Sequence, residues 1–215
     1  MSGVAASIVQ GQTLHTWAAL PVRTPHSNKW LTHPSKAIAA RRSHNIGPTL
    51  WLTIDKMSML TAPLLAHLSK VTGKICTAHH ITPPSVPFGN ISVLLLGDLH
   101  QLLPVANSKK ELYNNVPPDP LSQLGRLLFK QFDVVVKLEE QMQFTDPVWD
   151  RILQQSQVGE CTGNNIMEIK KLVLSNPLCQ IPDFSTPPWS NCVLITLQNA
   201  LQVLWNDLMV KAHCE

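Results

Sequence analysis

No CxxC pair occurs anywhere in this chain. Its five cysteines (Cys76, Cys161, Cys179, Cys192 and Cys214) are odd in number and widely spaced. That argues against a disulfide framework or a zinc corner and for a reducing compartment. His79-His80 near Cys76 stands alone in a Pro/Thr stretch and makes no metal set by itself. No apolar run approaches the roughly 20 residues that a membrane span requires. The opening MSGVAAS lacks the basic-then-apolar layout of a signal peptide, and it offers no helix start or strand before Gly3. Internal repeats are absent. Charge is sparse, at 14% of residues, and the 17 basic and 14 acidic side chains leave a net +3. Such a balance permits nucleic-acid contact without demanding it.

What is present suits one ordinary core, or one domain and part of another, within 215 residues. The 17 prolines cluster at 21–34, 83–87, 117–120 and 177–188. These stretches read as loops because proline lacks the backbone donor that helices and sheets use. Lys36–Arg42 reads as a short helix and Leu50–Ile54 as a buried-type strand. Leu60, Leu64, Leu65 and Leu68 fall on one helical face, with Thr61 as N-cap and Gly73 as the expected stop. Ile91–Leu96 is apolar on both faces, as in a central parallel strand. Phe132–Leu138 reads as another strand. Helices are expected at Val148–Gln157, closed by Gly159, and at Ile166–Leu174. A Pro-rich linker then spans Asn176–Asn191, followed by a strand at Cys192–Thr196. A final helix, Ala200–His213, carries Leu201, Leu204, Trp205 and Leu208. Strands alternating with helices predict an α/β fold built on a parallel sheet.

Two of these strands end in acid, LTID at Asp55 and LLLGD at Asp98. Ligands of open α/β sheets bind outside the carboxyl ends of the strands. A carboxylate there can hold Mg²⁺ through water, and the ion neutralises nucleotide phosphates. A single Asp after a strand is more often a plain turn-former. Here Gln101 follows Asp98 by three residues and shares its loop.

GDLHQLLPV, residues 97–105, resembles the GDF-x-Q-L/F-P-P-V motif of the petite-integration-frequency (Pif) family of superfamily-one DNA helicases. The resemblance is to the branch encoded by Helitron transposons in fungi. SGVAASIVQGQTLHTWAAL is similar to that family's TG-x-AA…G-x-T-L/I-H segment, and LTIDKMSML to its D-E-x-S-M strand. LEEQMQFTDP resembles the L-x-E-x-x-R-Q-x-D-P stretch, and CVLITLQNALQVLWN the opening of a second motor domain. Five segments in family order cover nearly the whole chain.

The resemblance implies RecA-like parallel sheets flanked by helices, with an incomplete first motor domain at 1–175. The Pro-rich linker at 176–191 and the start of the second domain at 192–215 follow. It also implies an ATP-dependent helicase that moves from the five-prime end of single-stranded DNA, in repair, recombination, telomere maintenance or transposition. Asp55 would hold Mg²⁺ and Gln101 would sense the γ-phosphate of ATP. Gly97 and Asp98 would line the nucleotide, and Thr13 and His15 would support the DNA strand. Trp17 and Trp30 could stack on bases, although packing is the commoner use of either.

The departures from the family fall on the chemistry. No GxxxxGK[ST] phosphate cradle occurs among the 215 residues. Around Gly73-Lys74 the motif fails at both ends, at Leu68 and Ile75. Lys56 occupies the position of the family's glutamate, and an ammonium has three donors and no acceptor. The expectation is that Lys56 neutralises Asp55 and competes with Mg²⁺, so phosphate is attracted but not hydrolysed. Gln143 stands for an arginine, losing charge and a bidentate fork, and Leu197-Gln198 stands for Pro-Arg. Each change can arise from one C-to-T type transition, as in a decaying transposon copy. The sequence thus supports a fragment of an ATP-dependent helicase that does not turn over, with a non-catalytic DNA-binding or interaction remnant as the alternative. An intracellular, nuclear site is expected, with the mitochondrion as the alternative, and no membrane association.

Overall fold

In the computed structural model, the residues described are 3–21, 29–80, 83, 85–104, 108–142, 145–187, 189–196 and 198–214. The chain divides into two compact units, Met1–Glu140 and Gln141–Glu215.

In the first unit, helices α1 (Gly3–Ile8), α2 (Leu14–Trp17), α3 (Lys29–Thr32) and α4 (Lys36–Ile46) precede strand β1 (Trp51–Ile54). Helix α5 (Ala62–His80), strand β2 (Ser92–Leu95) and helix α6 (Pro120–Phe129) follow. The strands pair in parallel, with Trp51 opposite Ser92 and Ile54 opposite Leu95, as the apolar runs predict. Their inward residues, Leu52 and Ile54 with Val93 and Leu95, meet Leu65, Leu68 and Val71 of α5 in the core. The other face of the sheet is bare. Trp51 is 76% exposed, Leu94 50% and Leu96 42%, although parallel sheets are normally covered on both sides.

Side-chain caps set the helix starts. Ser35 Oγ accepts the Ile38 amide at α4, Thr61 Oγ1 accepts Leu64 at α5, and Asp119 accepts Ser122 at α6, each serving an amide with no partner inside its helix. The buried guanidinium of Arg42 ties α4 to the preceding segment. It donates to the carbonyls of Ala18, Trp30 and Ala19 at 3.2, 3.3 and 3.1 Å and lies over the Trp30 ring at 5.7 Å.

Several expectations fail. Gly73 does not stop α5, which runs on to His80. That glycine is buried where the helix meets the turn Pro87–Asn90, with Val86 O and Gly89 N about 4 Å from the position of a Cβ. It sits inside the helix with ordinary contact distances around a Cβ position and terminates nothing. Neither Phe132–Leu138 nor Cys192–Thr196 forms a strand or pairs with another among the described residues. A strand exists only with a neighbour to complete its ladder, and apolar β-branched composition alone supplies none. Helix α6 begins within the Pro117–Pro120 stretch, where Pro120 takes the first helical turn that proline tolerates.

The second unit carries helices α7 (Pro147–Gln157), α8 (Gly163–Lys170) and α9 (Asn199–Cys214). Asp146 caps α7, and Gly159 at φ +78° closes it as expected. Helix α8 ends at Lys170, short of the expected Leu174. Leu201, Leu204 and Leu208 do lie on a helix, yet all three are exposed. Among the described residues, no helix is long and apolar enough to cross a membrane.

Candidate functional site

Asp55 and Asp98 leave the sheet at the same rim. Asp55 follows Ile54 and Asp98 lies three residues after Leu95, and Ile54 and Leu95 are register partners at the carboxyl end of the pair. Beyond the strands the two segments stay in contact. The Leu96 amide donates to Ile54 O at 2.8 Å, and the Met57 amide donates to Leu96 O at 2.9 Å. Gly97, at φ +148°, makes this approach possible, because a Cβ there would stand 2.8 Å from Met57 N and 3.3 Å from Lys56 Cα.

Lys56 turns the chain. It holds the left-handed conformation at φ 60°, ψ 50°, which L-residues other than glycine, asparagine and aspartate seldom adopt. Asp55 Oδ1 accepts the Lys56 backbone amide at 2.8 Å, and a tight turn, Met57–Met59, carries the chain to Thr61. Both Asp55 and Lys56 are exposed. The expected neutralisation of Asp55 by the Lys56 ammonium is not what the structure shows. Among the described residues the two side chains form no ion pair, and the link runs through the backbone.

On the second segment, Asp98 Oδ1 accepts the His100 amide at 2.9 Å and faces His100 Nδ1 at 3.3 Å. The Gln101 amide donates to Asp98 O at 3.2 Å, which keeps Gln101 in the same tight loop. His100 was absent from the sequence expectations. The spacing Asp-x-His, which lets a carboxylate reach a ring two residues on, was the available signal. Asp55, Lys56, Gly97, Asp98 and Gln101 therefore lie on two segments that abut at one end of the sheet.

The remaining expected residues have partners of their own. Thr13 caps α2, its Oγ1 accepting the Thr16 amide and donating to Thr16 Oγ1 at 2.8 Å. His15 is half-buried on α2, and burial pushes its imidazole below the ordinary histidine range. Helix α2 is held to α4, where Asn45 Nδ2 donates to Trp17 O at 2.8 Å. Trp17 packs on the core. Trp30 lies between Arg42 and the edge of His67, whose ring centre is 5.0 Å away, so both rings serve packing. Gln143 and Leu197 lie outside the described residues.

Chemically, the rim offers one exposed carboxylate at Asp55, a second at Asp98 turned toward His100, and exposed cationic and amide groups at Lys56 and Gln101. Among the described residues no cluster of three or more His, Cys, Asp or Glu could hold a metal ion. A resident ion with an all-protein cage does not fit this donor set. Mg²⁺ carried in by phosphate oxygens and held by one carboxylate through water does. A cavity of about 410 Å³ lies elsewhere, between α5, the Pro87 turn and α6, and none of the rim residues line it.

Comparison with known proteins points the same way. The family model described as PIF1-like helicase matches residues 1–150. The ATP-dependent DNA helicase RRM3 of Saccharomyces cerevisiae is 33% identical over 173 residues, 80% of this chain and 22% of its own length. The ATP-dependent DNA helicase PIF1 of the same yeast is 33% identical over 106 residues, 49% of this chain and 11% of its own. The chain thus spans less than a quarter of the length of these relatives. Among solved structures, a pair of coordinating Pif1 helicases at forked double-stranded DNA superposes with a TM-score of 0.57 at 20% identity, covering 80% of this chain and 40% of that one. Bacteroides Pif1 in complex with ADP-AlF3 and single-stranded DNA gives 0.55 at 20%, with 80% and 38% covered.

Proposed function

Because this chain belongs to the PIF1-like helicase family, we propose that its first unit is the strand-end portion of an ATP-dependent DNA motor, one that binds Mg²⁺-nucleotide phosphates without hydrolysing them. The observation that carries the reading is the convergence of Asp55 with Gly97-Asp98-Gln101 on one rim of a parallel sheet. In this reading Asp55 holds Mg²⁺ through water, and the Gln101 amide meets the terminal phosphate. Gly97 keeps the two segments close enough to act on one ligand. Mg²⁺, when bound, would neutralise phosphate charge.

Hydrolysis requires a group that accepts a proton from water or orients it, and Lys56 offers only donors. The 215 residues also contain no GxxxxGK[ST], the loop whose backbone amides and lysine grip the β- and γ-phosphates. Single-stranded DNA is the proposed polymer partner, with α2, which carries Thr13 and His15, on its path, and the nucleus is the proposed site. A non-catalytic DNA-binding remnant is the second reading, favoured by the same lysine.

The deciding measurement is ATP turnover by the 215-residue chain, with and without single-stranded DNA, beside binding of a labelled oligothymidine. No turnover is expected from the chain or from Lys56→Ala. DNA affinity should fall steeply with salt, as for any phosphate-dominated contact. Mg²⁺-dependent, DNA-stimulated hydrolysis above the Lys56→Ala level would overturn the proposed loss of catalysis. Salt-independent DNA binding, or none, would overturn the polymer partner.

A further inference from the structure

Lys70 and Lys74 stand about one turn apart on α5 and are exposed, and among the described residues neither pairs with an acid. Asp55 is the only acid in the first 97 residues, against eight lysines and arginines. Both lysines line the cavity of about 410 Å³ between α5, the Pro87–Asn90 turn and α6. Its apolar lining comes from Ala66 and Gly73 of α5, Val86 and Pro87 at the turn, and Leu124 and Leu128 of α6. Ala66, Gly73 and Leu128 are buried, so an aliphatic interior lies beneath a cationic mouth. One wall is firmly held. Phe88, Gly89 and Asn90 take positive φ in succession, at 54°, 65° and 68°, and Ser69 Oγ accepts the Phe88 amide at 3.0 Å. Backbone in such sparsely populated regions persists only where its surroundings over-determine it, and it clusters at ligand clamps. Thr77 also lines the cavity, and its Oγ1 is buried with no hydrogen-bond partner, a state that protein interiors usually avoid.

We propose that this cavity binds a small aliphatic carboxylate, its tail on the leucine, valine and alanine lining and its head at the mouth on Lys70 and Lys74. The volume is that of small-ligand pockets, which are mostly apolar with a few placed polar groups. The charge selects an anion. No acid lines the cavity to hold an amine, and no aromatic ring lines it to stack on a flat heterocycle such as a nucleobase. Lys74 gives one donor to Thr32 O at 2.7 Å, and an ammonium has two more. The site stands independently of the nucleotide reading above, because none of its lining residues belongs to the strand-end rim.

The test is isothermal titration of decanoate, kept below its micelle concentration and without nucleotide, into the full 215-residue chain. One saturable site is expected. Decanol has the same tail and no charge, and it should bind about tenfold more weakly. Lys70→Gln combined with Lys74→Gln, both at exposed positions, should weaken decanoate by about tenfold and leave decanol unchanged. Gly73→Leu carries a side chain into the cavity that the glycine lines, and it should abolish binding of both. Far-UV circular dichroism reports whether α5 accommodates that leucine; where it does not, the exposed lysine pair still decides. The proposal is overturned by the absence of a saturable decanoate site, by decanol binding as tightly as decanoate, or by a lysine pair whose loss leaves decanoate unaffected. A folded Gly73→Leu that binds like wild type would overturn it too, because the ligand would then sit elsewhere.

Discussion

Replacing Gly97 by alanine tests the close approach on which the strand-end rim depends. Two effects oppose each other. Alanine restricts the unfolded chain, which should stabilise the native state by about 0.4–1 kcal/mol. Against this, φ +148° is a backbone conformation that L-residues rarely adopt, and holding one there costs of order 1–3 kcal/mol. The new methyl would also stand 2.8 Å from Met57 N, so the segments must part by several tenths of an ångström. That parting stretches the 2.9 Å bond from the Met57 amide to Leu96 O, worth about 1 kcal/mol. The sum favours destabilisation by about 2–3 kcal/mol. Urea unfolding followed by circular dichroism reads it as a lowered midpoint at unchanged slope. Lys56→Gly is the companion, because it relieves a left-handed lysine in the same turn and should leave stability unchanged or raise it by up to about 1 kcal/mol. A Gly97→Ala midpoint equal to wild type would refute the account of the rim as two segments in enforced contact.

Two further outcomes follow from packing and titration. A Cβ on Gly125 of α6 would land on the Ala62 carbonyl at the start of α5. Gly125→Ala should therefore destabilise by about 2 kcal/mol despite alanine's better helix propensity, while Leu127→Ala, on an exposed position of the same helix, should change the urea midpoint little. His67 is buried with neither ring nitrogen hydrogen-bonded, and burial, then the charge of Lys70, hold its imidazole below the ordinary range. The unfolded chain, titrating near about 6.5, thus takes up the proton first. Stability should fall as pH drops below that value toward the folded-state pKa, and the loss between pH 7.5 and 5.5 should be smaller in His67→Leu. Equal losses in the two proteins would show that His67 is not the group responsible.

Local signals carried much of the architecture into the sequence. The apolar runs at 50–54 and 91–96 became the parallel pair, and Thr61 and Gly159 mark helix ends as their chemistry dictates. Both acids lie at the carboxyl rim because Asp55 directly follows one apolar strand and Asp98 comes within three residues of the end of the other. What was illegible depended on neighbours. Gly73 looks like a stop until Val86 and Gly89 are packed beside it, and FDVVVKL looks like a strand until the absence of a described partner is seen. Within the site, the left-handed turn at Lys56 decided the fate of its charge. A lysine next to an aspartate suggests an ion pair, but the turn gives Asp55 the amide instead. His100 escaped notice because its partnership with Asp98 spans only two residues and belongs to the loop, not to any periodic element.

The unequal interiors of the two units bear on how long such a molecule would last. Among the described residues of Gln141–Glu215, burial reaches Ile152 and Asn165 and scarcely further. Peptide bonds in such a region open locally at small cost. Cellular degradation would then begin in the last third of the chain well before the sheet and α5 gave way, and mild digestion would leave a resistant remnant ending near residue 140.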